Sequence, residues 1–224
     1  MKPMNLFPAF LKLSGRPCLV VGAGPIGEEK IEGLLRAGAN VRVVAPRATT
    51  RIRALARAKR VRWEARRFRA SDLTGVFMAV AATSSATLHD EIYKRARRRG
   101  ILCNVVDDPP NCDFYYGSVV QRGSLQIAIS TSGHSPALAQ RIRKQLEEQF
   151  GPEYELWTEE LGKTREDLFA KPMDPERRKR LLHRLASQPS FKVFLRKNKA
   201  KISKAAGAKA IRGRRAIEDS DRFH

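Results

Sequence analysis

The run Cys18-Leu-Val-Val21 enters Gly22-Ala-Gly24-Pro-Ile-Gly27 without a break, and a helical pattern begins inside that loop and lasts to about Ala37. No other segment restricts the fold as strongly. A short strand with no polar residue needs apolar cover on both faces, the condition of a strand inside a parallel sheet. The G-x-G-x-x-G loop at its end then has a physical reading. Gly22 permits the tight turn, Gly24 lets the backbone approach a pyrophosphate, and Gly27 allows helix and strand to pack closely. The N-terminus of the helix presents unpaired N–H groups to the phosphates. A glycine turn of purely structural use is the alternative, but the strand–loop–helix context favours dinucleotide binding.

The alternation continues downstream. Gly38 stands where a helix C-terminal glycine belongs, and Val41 to Val44 is a second strand stopped at Ala45-Pro46. A helix through Ile52, Leu55 and Ala56 leads to a third strand over Val61 to Phe68, and Val76 to Ala81 is a fourth. A helix over Thr87 to Arg99 carries Leu88, Ile92 and Ala96 on one stripe and stops at Gly100. Ile101 to Val106 is the fifth strand. Strands with helical crossovers of this length predict an α/β chain with a Rossmann-like parallel sheet. The pattern then changes to a hairpin, Phe114 to Gln121 and Leu125 to Ser130, turning at Arg122-Gly123. After it comes a helix with Ser135 as N-cap, Pro136 at its first position and Leu138, Ile142, Leu146 and Phe150 at four-residue spacing. The expected organisation is therefore a dinucleotide-binding domain over 1–113, a small α+β region over 114–150, a helical domain over 151–198 and a basic, disordered tail over 199–224.

Composition narrows the function classes. Lys and Arg number 44 against 23 Asp and Glu, a formal charge of +21. Arg42 to Arg69 has eleven basic residues and one acid, and Arg177 to Arg215 has fifteen and none. Such a field attracts polyanions, whether nucleic acid, an anionic surface or a small polycarboxylate. No apolar stretch approaches the length of a membrane span, and the N-terminal segment, broken by Pro3 and Pro8, is no secretory signal. Cys18, Cys103 and Cys112 show no paired spacing, as expected of reduced thiols in a cytoplasmic protein.

Several residues are candidates for chemistry. Folds of this kind usually place an acid at the end of the second strand for the ribose 2′-hydroxyl, yet 40–50 contains none. Backbone groups could hold the ribose, or Arg47 a 2′-phosphate, so NAD and NADP both stay open on the residues alone. None of the four tyrosines is followed by Lys at the fourth position, which argues against a short-chain dehydrogenase. Asp107 and Asp108 sit where the fifth strand emerges, at the edge where such sheets bind ligands. They could take a proton or simply cap the turn before Pro109-Pro110. Ser130, Ser132, Gly133, His134 and Ser135 form a second small-residue loop at a helix N-terminus, either an anion site or plain capping. His89, His183 and His224 show no ligand spacing, so no metal site is expected.

Four motifs in order carry a more specific signal. Met4-Asn-Leu-Phe-Pro-Ala-Phe-Leu, Cys18 to Lys30, Cys103-Asn-Val-Val-Asp-Asp-Pro-Pro110 and Ile127 to Ala139 closely resemble precorrin-2 dehydrogenase, the sirohydrochlorin-forming module also found at the N-terminus of siroheme synthases. The resemblance is dense over 4–150 and looser to about 198. It implies NAD-dependent oxidation of precorrin-2 to sirohydrochlorin, with ferrous iron insertion at the same site in some members, and a homodimer built on the region after 113. It places the essential aspartate on Asp107, as general base or metal-handling carboxylate. Cofactor contacts fall on Pro25, Ile26, Pro46, Arg47 and near Thr83, and a serine phosphorylated in one siroheme synthase falls on Ser130. His134 departs from the family pattern, and the tail after 199 has no counterpart in it. A substrate with eight carboxylates would suit so basic a chain. The competing reading is a non-catalytic NAD-binding sensor whose basic tail engages nucleic acid or a surface. That reading gains nothing from Asp107 or Ser130, and no DNA-reading element is present.

Overall fold

In a computed structural model that describes residues 6–203, the Gly-loop strand lies at the centre of a five-stranded sheet. The strands are β1 (Pro17–Val21), β2 (Asn40–Val44), β3 (Arg62–Glu64), β4 (Met78–Ala81) and β5 (Leu102–Val105), in the order β3-β2-β1-β4-β5. Every neighbouring pair is parallel. The chain divides into two compact units, Phe7–Tyr116 and the described residues from Gly117 on.

In the first unit, helices α1 (Pro25–Arg36) and α2 (Thr50–Arg57) cover one face and α3 (Ala86–Arg97) the other. Because strand side chains alternate, β1 sends Cys18 and Val20 into a core with Ile31, Leu34 and Ile52. It sends Leu19 and Val21 into a second core with Leu73, Ile92, Ala96 and Cys103. Leu19, Ile31, Ile52 and Ile92 are fully buried, each contributing roughly 1.5–3 kcal/mol. This is why β1 and β4 read as unbroken apolar runs rather than as alternating ones. Burial on both faces also pushes the thiols of Cys18 and Cys103 up, to about 11 and about 12.

The third strand is shorter than the expected Val61 to Phe68. It ends at Glu64 because the Arg66 N–H returns to the Glu64 carbonyl at 2.8 Å. The Arg66 guanidinium then grips Glu64 and the buried Asp72, the latter at 2.6 Å, and turns the chain off the sheet edge.

The second unit opens with an antiparallel hairpin, β6 (Ser118–Arg122) and β7 (Leu125–Ile129), registered from Ser118↔Ile129 to Arg122↔Leu125. The turn is Gly123-Ser124, one residue later than expected, with Gly123 at φ 57. Arg122 ends the strand instead, because its guanidinium donates to the Phe150 and Glu147 carbonyls, at 2.7 and 3.1 Å. Those carbonyls are the orphan acceptors at the end of α4 (Pro136–Gln149). Helices α5 (Glu153–Phe169), α6 (Pro175–Leu185) and α7 (Gln188–Lys197) follow. Rings of Tyr154, Trp157 and Phe191 pack between α5 and α7, with centroids 4.5–5.7 Å apart. Residues 199–203, where the disordered tail was expected to begin, are helical, and 204–224 lie outside the described residues. Among the described residues no helix is long and apolar enough to cross a membrane.

Candidate active site

The carboxyl ends of the parallel strands surround a cavity of about 1170 Å³, contained within the first unit. Its position follows from topology. The order of strands reverses beside β1, so the connections leaving β1 and β4 diverge and open a crevice between them. Gly22, Gly24, Pro25, Ile26 and Gly27 line it from β1, Pro46 and Arg47 from β2, Thr83 from β4 and Asp107 from β5. Every residue assigned to the cofactor and to proton transfer thus reaches one cavity.

The glycines differ in what they do. Gly22 stands at φ 106 with the Ala82 carbonyl against the place a Cβ would take, so only glycine fits. A Cβ on Gly27 would strike the Gly22 carbonyl, which is how α1 approaches the loop so closely. At Gly24 no protein atom lies within 4 Å of that position. Gly24 is also the N-cap of α1 and offers no side chain to its first turn, so the N–H groups of Ile26 and Gly27 face the cavity side without a side-chain cap. Space without a protein occupant beside unpaired N–H groups at a helix N-terminus fits a pyrophosphate. The residues present at this cradle fit the pyrophosphate of NAD.

At the β2 end no acid lines the cavity among the described residues. Glu28, the carboxylate in the first turn of α1, accepts the Thr49 hydroxyl. Thr49 in turn caps α2 by accepting the Ile52 N–H at 3.2 Å. Trp63 donates its indole N–H to the Ala45 carbonyl at 3.0 Å, locking the ends of β2 and β3 together. Arg67, just past β3, also lines the cavity.

At the opposite end the two aspartates separate into different roles. Asp108 is tied into the turn, its carboxylate accepting the Asn111 amide at 2.8 Å and its carbonyl accepting the Asn111 N–H at 3.0 Å. Asp107 lines the cavity, is exposed, and among the described residues has no hydrogen bond or ion pair. Its backbone sits at φ 60, a left-handed conformation that a non-glycine residue adopts at a cost of about 1 kcal/mol or more. Surrounding bonds hold it there. The Cys112 thiol donates to the Val105 carbonyl at 3.1 Å, Asp113 accepts the Cys103 N–H at 2.9 Å, and Asn104 donates to the Phe114 carbonyl at 2.9 Å.

Two lining residues escaped the sequence reading. His89 is nearly buried on α3 and its Nε2 accepts the Thr83 N–H at 3.3 Å. Its place one residue from Leu88 and three from Ile92 on the apolar stripe was the available signal. Arg67 could not be placed because the third strand ends earlier than its apolar pattern suggested.

The small-residue loop belongs to the second unit. Ser135 caps α4, accepting the Leu138 N–H at 3.2 Å; Thr131 Oγ1 accepts the Ser135 N–H and Ser130 Oγ the Ser132 N–H, both at 3.1 Å. Ser132 and Gly133 stand at φ 51 and 81, and His134 is exposed. The hydroxyl oxygens are used as acceptors, which leaves their protons to donate to an anion. Among the described residues no group of three or more His, Cys, Asp or Glu could hold a metal ion.

Comparison with known proteins agrees with this geometry. Residues 9–118 match the family described as "Putative NAD(P)-binding", and 122–149 the family described as "Sirohaem biosynthesis protein central". Siroheme synthase 1 of Serratia proteamaculans is 40% identical over 144 residues, covering 64% of this chain and 30% of its own. A siroheme synthase of Neisseria meningitidis serogroup B is 39% identical over 177 residues, covering 79% of this chain and 37% of its own. The chain thus spans about a third of the length of these relatives. Among solved structures, one described as SirC, precorrin-2 dehydrogenase, superposes with a TM-score of 0.73 at 28% identity, over 89% of this chain and all of that one. By these matches the chain is similar to precorrin-2 dehydrogenase and to the N-terminal modules of siroheme synthases.

Proposed function

We propose that the protein oxidises precorrin-2 to sirohydrochlorin with NAD as hydride acceptor, a step of siroheme biosynthesis. The observation that carries this reading is a single cavity with the glycine cradle at its middle and an unpaired, conformationally fixed carboxylate, Asp107, at its β5 end. At about 1170 Å³ it exceeds the roughly 300–1,000 Å³ of most small-molecule sites, leaving room beside a dinucleotide for the edge of a second ligand.

The cradle at Gly22, Gly24 and Gly27 and the first turn of α1 bind the pyrophosphate. Thr83, oriented through its N–H by His89, lies on the β4 side of the cavity, towards Asp107. The bound nicotinamide supplies a two-electron acceptor for a hydride from the macrocycle. Asp107 accepts at a carboxylate oxygen the proton that leaves as conjugation extends. Taken by itself, the second unit offers a further anion-binding loop, whose Ser130, Ser132 and Ser135 hydroxyls and Gly133 N–H can donate to carboxylates.

The same reading extends to a homodimer, supported by the exposed apolar Val119 and Leu138 on the second unit, and to a place in the cytoplasm. Ferrous iron enters, where it is inserted, as a substrate. Asp107→Ala tests the assignment: turnover falls by about a hundredfold or more. Undiminished dehydrogenation and metal insertion would remove Asp107 from the reaction.

A further inference from the structure

We propose that Thr49 is a positioning residue for the cofactor: its hydroxyl tethers the Glu28 carboxylate away from the place the pyrophosphate takes at Gly24. This rests on the dinucleotide reading of the cradle. Glu28 lies one turn along from Gly24, and its N–H donates to the Gly24 carbonyl at 2.9 Å. Residues four apart share a helix face, and helical side chains lean towards the N-terminus. An untethered Glu28 side chain can therefore reach back over Gly24, beside the space that no protein atom fills. A carboxylate there repels the two phosphate charges.

The structure holds Glu28 elsewhere. It is half-buried and is not among the residues that line the cavity. Among the described residues it has no ion pair, and its one side-chain partner is the Thr49 hydroxyl. In that position its charge still favours the N-terminal end of α1. The tether thus lets one carboxylate serve the helix without competing for the site that the same helix end forms.

Thr49 is itself fixed on both sides. Its N–H donates to the carbonyl of Ala23, inside the glycine loop, at 3.1 Å. Its carbonyl accepts the Arg53 N–H at 3.1 Å, and its hydroxyl oxygen accepts the Ile52 N–H at 3.2 Å. With the oxygen used as a helix cap, the hydroxyl proton is left for Glu28. An aspartate at this position would cap α2 as well but could not donate. The capping bond and the tether are therefore separate duties of one side chain.

Calorimetric titration of the whole chain with NAD, at low and high salt, tests this without turnover. Thr49→Val removes the hydroxyl and should weaken NAD binding about fivefold or more at low salt. The loss should shrink as salt rises, because it is a repulsion between charges. Thr49→Val/Glu28→Gln lacks the same α2 cap but carries an uncharged amide, and should return to within about twofold of the parent. Thr49→Ser keeps both bonds and should restore parental binding. Thermal melting verifies that each variant is folded. Glu28→Gln alone leaves the cap intact; its amide oxygen still accepts from Thr49 and its charge is gone, so NAD should bind at least as tightly as to the parent. A Thr49→Val loss that salt does not change and Glu28→Gln does not relieve would overturn the tether and leave Thr49 a capping residue. Parental affinity in Thr49→Val, or a loss of about threefold or more in Glu28→Gln alone, would overturn it with the dinucleotide reading intact. A parent chain that binds no dinucleotide would overturn both.

Discussion

The main-chain N–H of Thr83 donates to Nε2 of His89 across 3.3 Å, joining the loop after β4 to the buried side of α3 at the cavity wall. The bond requires Nε2 to be bare, so the imidazole carries its proton on Nδ1. His89 acts through Thr83 and is a positioning residue. His89→Ala leaves the Thr83 N–H without its acceptor, at about 1–3 kcal/mol, and should weaken NAD binding several-fold. His89→Gln, whose amide oxygen can accept, should restore part of the affinity. Dissociation constants and melting temperatures of the two variants check this: equal losses in both would make His89 a packing residue only.

Gly22 and Gly24 make opposite predictions for the same substitution. Gly22→Ala places a Cβ against the Ala82 carbonyl at a positive φ and should unfold or strongly destabilise the chain. Gly24→Ala meets no protein atom within 4 Å. It should melt within about 1 kcal/mol of the parent and yet lose NAD affinity, because the added methyl occupies space needed by the pyrophosphate. Unchanged NAD affinity in a folded Gly24→Ala protein would contradict the cradle.

Stability should fall at both ends of the pH scale, for different groups. Burial by itself would raise the Asp72 carboxyl, but hydrogen bonds from Arg66 and the Arg69 N–H, with the charges of Arg66 and Arg42, outweigh it and hold the group below its ordinary value of 3.8. A lowered carboxyl binds fewer protons folded than unfolded, so its contribution is full above 3.8 and disappears as pH drops through the folded value. Burial raises Cys18 to about 11 and Cys103 to about 12 from 9.0. Their contribution is full below 9.0 and is lost as pH climbs towards those values. Denaturant titrations across pH measure both limbs. Asp72→Ala should cost about 1–3 kcal/mol near neutrality, since it leaves Arg66 and Arg42 with Glu64 alone, and should flatten the acid limb.

The parallel sheet was legible in the sequence because β1 and β4 are apolar runs, and because β1, β2 and β5 end close to Gly22, Ala45-Pro46 and the Asp107-Asp108 pair. The cofactor side of the cavity was legible because Gly22, Gly24 and Gly27 have fixed backbone duties. The end of β3 was not, since an arginine pairing with Glu64 and Asp72 stopped the strand, and no local pattern announces a contact six residues away. Arg67 was hidden by the same error. The resemblance alone singled out Asp107 over Asp108 in the sequence; that the Asp108 carboxylate is tied into the turn while Asp107 is not is something adjacent identical residues cannot disclose. His89 looked like an isolated histidine because its partner is a main-chain N–H.

The most direct test is anaerobic incubation of the whole chain with precorrin-2 and NAD or NADP, followed by sirohydrochlorin absorbance. The account predicts sirohydrochlorin formed in step with reduced nicotinamide, abolished or slowed by about a hundredfold in Asp107→Ala. No sirohydrochlorin with either dinucleotide, from protein shown to bind one of them, would contradict it and leave a dinucleotide-binding protein without this activity.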